Sequence, residues 1–90
     1  MALFDLVGRR WALRVLWELH RAPGPLTFRA LRGACDDVSS SVLTQRLGEL
    51  RDARLVARGD GGYALTPLGS DLVTSLGPVA RWSERWAAAR

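Results

Sequence analysis

The 90-residue chain has no lysine, no isoleucine and no asparagine, with one cysteine (Cys35) and one histidine (His20). A single cysteine excludes an intrachain disulfide, and no cluster of cysteine and histidine could hold a structural zinc. The same scarcity argues against a self-contained catalytic triad. No apolar run approaches the roughly 18 residues of a membrane-spanning helix. The opening, MALFDLVGRRW, lacks a basic segment ahead of an apolar stretch. A secretory signal is therefore not expected, and the expected location is cytoplasmic. Missing Lys, Ile and Asn beside abundant Ala, Gly, Arg and Leu reads as the coding bias of a GC-rich bacterial genome. Part of the arginine excess is then compositional rather than functional.

What remains is enough for one small folded domain, with 48% apolar and 24% charged residues. Thirteen arginines against nine acids give a net charge of +4. A small basic domain is drawn to polyanions, nucleic acid before anionic membrane.

Residues 1–22 read as helical, with Leu3, Leu6, Val7, Trp11, Val15, Leu16 and Leu19 near helical spacing. Gly8 is expected to part a short first helix from a longer second one. Ala22-Pro23-Gly24-Pro25 breaks the pattern, and Leu26-Thr27-Phe28 reads as extended. Thr27 can cap a helix from about Phe28 to Gly33, with Leu31 inward. Ser39 can cap another through about Ala53, striped by Leu43, Leu47 and Leu50. Residues 55–58 and 63–66 read as hairpin strands around the turn Gly59-Asp60-Gly61-Gly62. Thr66-Pro67 opens a last helix carrying Leu68, Leu72, Leu76, Val79, Trp82 and Trp86, with a kink expected at Gly77-Pro78. A hairpin directly after a pair of turn-linked helices is the element order of a winged helix-turn-helix: mostly α, with a small β wing.

The motifs now resemble a known family. Val7-Gly8-Arg9-Arg10-Trp11 is similar to "IGGKW", and Val15-Leu16-Trp17-Glu18-Leu19 to "ILWEL". Leu26-Thr27-Phe28-Arg29-Ala30-Leu31-Arg32 is similar to "LRFSELRR", and Leu43-Thr44-Gln45-Arg46-Leu47-Gly48-Glu49-Leu50 to "LTQRLREL". Tyr63-Ala64-Leu65-Thr66-Pro67-Leu68-Gly69 is similar to "YSLTELG". In order and spacing these resemble the HxlR-type, MarR-like winged-helix transcriptional regulators of bacteria, from about Leu6 to Trp86. The resemblance implies a homodimer built from the first and last helices. It also implies two recognition helices in successive major grooves of a pseudopalindromic operator, and no enzymatic activity. The chain departs from the family in three places. Its hairpin is short, it has no cysteine ahead of the opening motif, and residues 36–60 hold four arginines against five acids.

On a helical wheel the face opposite the leucines holds Ser41, Thr44, Gln45 and Gly48. Gln45 is the candidate for base readout, because its amide can pair bidentately with adenine. Ser39, Ser40, Ser41 and Thr44 are candidates for phosphates or base edges, unless the serines only cap the helix. Arg46, beside the inner face, and Arg29 are candidates for phosphate, and Arg58 for phosphate or the minor groove. For Arg32 a solvated face and a phosphate contact stay open. Asp36 and Asp37 are expected to raise the Cys35 pKa, which favours an inert thiol over a redox switch.

Trp11, Trp17, Trp82 and Trp86, with Leu76 and Val79, are expected at the dimer interface, or lining a cavity for a flat small-molecule effector. The leading expectation is a sequence-specific regulator binding double-stranded DNA as a homodimer, with no cofactor, metal or membrane partner. The alternative is a winged-helix protein that binds an aromatic small molecule or a protein, with DNA binding weak or lost.

Overall fold

The computed structural model describes residues 11–89, with side chains for residues 11–78 and for Arg85. The expected first short helix and the side chains of Val79, Trp82 and Trp86 lie outside the described residues. The elements run α1 (Ala12–Arg21), α2 (Phe28–Ala34), α3 (Ser40–Asp52), β1 (Val56–Gly59), β2 (Gly62–Leu65) and α4 (Pro67–Ala89). Helices and hairpin together make a winged helix-turn-helix domain.

α1 lies at the centre. It buries Ala12, Val15, Leu16 and Leu19 and packs against α2, α3, α4 and β2. Leu31 of α2 and Leu43, Leu47 and Leu50 of α3 close over that face, as the leucine spacing predicts. Cys35, Val38, Leu55, Val56, Tyr63 and Val73 complete the core.

The helix starts follow local chemistry. Thr27 Oγ1 accepts from Ala30 N–H at 3.1 Å and Ser39 Oγ from Val42 N–H at 3.2 Å. Thr66 Oγ1 accepts from Gly69 N–H at 3.0 Å while donating to the Arg54 carbonyl at 2.7 Å. Each hydroxyl satisfies a donor that the first helical turn leaves without a partner.

α2 ends in a Schellman motif. Asp37 N–H bonds the Arg32 carbonyl at 2.9 Å, and Asp36 N–H bonds the Gly33 carbonyl at 3.2 Å. Asp36 and Asp37 both hold φ 57°, a left-handed conformation that glycine usually supplies.

Two expectations need correction. The hairpin is tighter than the reading placed it: Gly59 pairs with Gly62, leaving only Asp60 and Gly61 at the tip. Tyr63 also exchanges both backbone hydrogen bonds with Leu26, at 2.7 and 2.9 Å, which ties the wing to the segment before α2. In α4 the inward residue is Val73, whereas Leu68 is 56% exposed. The reason is Gly69, which packs directly on the Leu55 carbonyl and turns that face of the helix inward. α4 continues as a helix through Pro78, where the sequence predicts a kink.

Two glycines behave oppositely. A Cβ at Gly62 (φ 121°) would overlap the Leu26 backbone, whereas one at Gly48 would meet nothing within 4 Å. Gly62→Ala should therefore destabilise the fold by more than about 1 kcal/mol. Gly48→Ala, on an exposed stretch of helix, should stabilise it by about 1 kcal/mol. Denaturant unfolding of the two variants beside the unmodified chain checks both signs.

Candidate nucleic-acid interface

α3 turns Leu43, Leu47 and Leu50 inward, so Ser40, Ser41, Thr44, Gln45 and Gly48 are exposed along its outer side. This is a neutral row of hydroxyls and one amide, ending at Arg51 and Asp52. Ser39 is committed to the cap, and its hydroxyl lies 3.4 Å from that of Ser41. The cap therefore orients the start of the row.

Arg29 on α2 and Arg58 on β1 are exposed to either side of this row in the sequence. The Arg58 guanidinium lies 5.6 Å from the centroid of the Tyr63 ring, its cross-strand partner, and the buried ring holds the arginine at the wing. An open groove of about 520 Å³ separates the end of α3 from β1, lined by Gly48, Arg51, Asp52 and Arg58. Gly48, bare of a side chain, deepens it. Arg51 was not among the sequence candidates. Only the approach of β1 to the last turn of α3 makes it part of this surface.

Two other arginines do not join the surface. The Arg46 side chain is 11% exposed, with Nε 3.3 Å from Glu49 Oε1. It lies beside the inner face, as its position on the helical wheel predicts, and is folded along its own helix with its donors turned to Glu49. Arg32, left open by the sequence, donates from Nε to the Val38 carbonyl at 2.6 Å. A contact across six residues of turn leaves no periodic signal in the sequence.

Arg14 is engaged as well. Nε donates to Glu18 Oε2 at 2.8 Å, and the terminal nitrogens donate to the Ala34 carbonyl at 2.8 Å and to Asp36 Oδ2 at 3.1 Å. The hydrogen bond that Glu18 accepts, net of some desolvation, raises the arginine's pKa, so it stays charged. Nearly buried Glu18 is thereby compensated.

Among the tryptophans, Trp11 is half-buried at the head of α1 with φ 79° and packs on the core of its own chain. Trp17 is 40% exposed, its ring centroid 5.7 Å from that of His20. Leu13 is 45% exposed one turn earlier, and Leu76 is half-buried on α4.

Among the described residues no group of His, Cys, Asp and Glu is placed to hold a metal ion, and no helix is long and apolar enough to cross a membrane.

The pattern of the HxlR-like helix-turn-helix family matches residues 6–90. An HTH-type transcriptional regulator of Methanocaldococcus jannaschii is 27% identical over the whole of this chain and 87% of its own length. The crystal structure of a possible HxlR family transcriptional factor from Thermoplasma volcanium superposes with a TM-score of 0.90 at 26% identity, covering 96% of this chain and 82% of that one. That of quinone-bound YodB from Bacillus subtilis superposes with a TM-score of 0.81 at 28% identity, covering 92% of each chain.

Cys35 is fully buried at the turn between α2 and α3. Burial, more than the neighbouring carboxylates, pushes its thiol above the ordinary value of 9.0. Glu18 and Asp36 add to the shift and Arg14 opposes it. A raised folded pKa means the thiol's contribution to stability is complete below its unfolded value and is lost as pH rises through the folded one. Cys35 should therefore resist a disulfide-exchange reagent at neutral pH and react at the rate of unfolding. Labelling in native buffer and in denaturant checks this.

Proposed function

We propose that this chain, which belongs to the HxlR-like helix-turn-helix family, works as a homodimeric DNA-binding transcriptional regulator on a pseudopalindromic operator. The family is one of transcriptional regulators and not of enzymes, and DNA is the partner it implies. The carrying observation is the outer row of α3. A capped helix presents Ser40, Ser41, Thr44 and Gln45 to solvent, with arginines available on α2 and β1. In this reading residues 39–53 form the recognition helix and its first half enters the major groove. Gln45 reads a base, and Ser41 and Thr44 bond phosphates or base edges. Arg29 and Arg58 hold the backbone on either side, and Arg51 extends the wing-side contact. Residues 55–66 are the wing.

The dimer reading rests on the exposed apolar side of α1, Leu13 and Trp17, and on the long α4. We place Trp82, Trp86, Val79 and Leu76 at the same interface, the last helix acting as a dimerisation helix over about residues 67–88. A relative solved with a quinone bound supports a flat small molecule as effector, lodged at this proposed interface. A cytoplasmic location and no membrane partner fit this role.

Gel-shift titration against the DNA upstream of the chain's own coding region, with random competitor, tests the reading. Binding should be specific and should weaken linearly in log–log form with salt, by roughly 0.9 per neutralised phosphate. Gln45→Ala should lose about tenfold in affinity for the specific site with an unchanged salt slope. Arg58→Ala should weaken specific and random DNA alike and lower the slope by about 1. Binding indifferent to sequence would sink the regulator reading and leave the Trp17 surface as the place to seek a ligand.

A further inference from the structure

We infer that Arg32 is a positioning residue, a latch that fixes the turn leading into α3 and so sets the pose of the helix, rather than a phosphate ligand. The inference rests on the reading of α3 as the helix that meets DNA.

Arg32 holds both ends of that turn. Its backbone carbonyl accepts the N–H of Asp37 at 2.9 Å and of Cys35 at 3.2 Å. Its side-chain Nε donates to the Val38 carbonyl at 2.6 Å. Val38 directly precedes Ser39, the cap of α3. One residue of α2 thus grips the chain one position ahead of the recognition helix. The bond is short and charge-assisted, and it is partly shielded from water, so it is of the stronger kind.

The segment it spans needs holding. Asp36 and Asp37 are consecutive left-handed residues that are not glycine, a conformation that L side chains resist. Arg14 braces the same segment from α1, through the Ala34 carbonyl and Asp36. Buried Val38 and Cys35 pin it from beneath. Without the Arg32 bond, the Val38 carbonyl would lose its side-chain partner beside the core, and the entry of α3 would lose its one direct side-chain tie from α2.

The geometry offers a test by crossed substitutions. Glutamine places an amide nitrogen at the same distance along the side chain as Arg32 Nε, so Arg32→Gln keeps the donor and drops the charge. Arg32→Lys keeps the charge and moves the nitrogen beyond the Val38 carbonyl. Arg32→Leu removes both. The probe is the duplex from upstream of the chain's own coding region, titrated at several salt concentrations against random duplex.

A latch requires Arg32→Gln to bind within about twofold of the unmodified chain. Arg32→Lys and Arg32→Leu should lose about tenfold on the specific duplex, and the salt slope of the lysine variant should not change. A phosphate ligand gives the reverse: lysine close to unmodified, glutamine weak with a slope smaller by about 1. That pattern overturns the inference, and so does unmodified binding by all three.

Amide hydrogen exchange at Val42 and Leu43, the first bonded amides of α3, reads the latch without DNA. It should quicken about tenfold in the lysine and leucine variants and not in the glutamine variant. Exchange in Arg32→Gln as fast as in Arg32→Lys refutes the latch even if DNA binding is intact. If the unmodified chain shows no preference between duplexes, the regulator reading fails, and exchange alone decides the latch.

Discussion

One buried helix face holds the domain together. Val15 and Leu16 of α1 are almost wholly removed from water, and α2, α3, α4 and β2 each pack against this helix. Among the described residues one buried cluster carries the load, as expected of so small a domain. The leucines of α3 close on this face, so the direction of its outer row follows from how α1 is seated. Arg14, on the flank of the same helix, adds a polar constraint by reaching the end of α2 and the turn beyond it. Packing sets the distance between α1 and the helix-turn-helix pair, and directional hydrogen bonds set the angle.

The wing depends on a different constraint. Two four-residue strands are too little for an independent hairpin. Here the hairpin gains a third participant, because Leu26 and Tyr63 bond each other through both backbone groups. That exchange needs the two chains close together, and Gly62 permits it by having no Cβ to strike the Leu26 carbonyl. Tyr63 then does two things at once. Its ring enters the core, and its outer side carries the Arg58 guanidinium. The short tip, Asp60-Gly61, limits how far the wing extends, and the exposed Arg58 lies at its base rather than its end.

Much of this was legible in the sequence because it is local. The three caps at Thr27, Ser39 and Thr66 need only a hydroxyl at the right offset from a helical run. Leu43, Leu47 and Leu50 need only helical period. The rest turns on which of several possible contacts a residue makes. Leu68 and Val73 are both apolar and both close to the period. The close approach of Gly69 to Leu55 chose between them, and no spacing rule contains that approach. Arg46 carries the same charge as Arg29, yet one lies along its helix against Glu49 and the other stands in solvent. Arg32 was undecided because its partner is a backbone carbonyl beyond a turn whose path the sequence does not dictate.

These differences change the meaning of the net charge. Arg14, Arg32 and Arg46 are engaged by Glu18 and Asp36, by the Val38 carbonyl and by Glu49. Their charges still act at a distance, but their donors are directed into the protein. Exposed arginines around α3 are Arg29, Arg51, Arg54 and Arg58, with Asp52 and Asp60 among them. Such a surface gives modest non-specific attraction, because counterion release scales with the phosphates actually contacted. In the proposed reading, discrimination then falls more heavily on the neutral row of Ser41, Thr44 and Gln45, whose hydrogen bonds depend on distance and angle. A reader of that kind tolerates little error in the pose of its helix. This gives a physical reason for a domain short of lysine and modest in charge to direct two arginines at the turn that sets that pose.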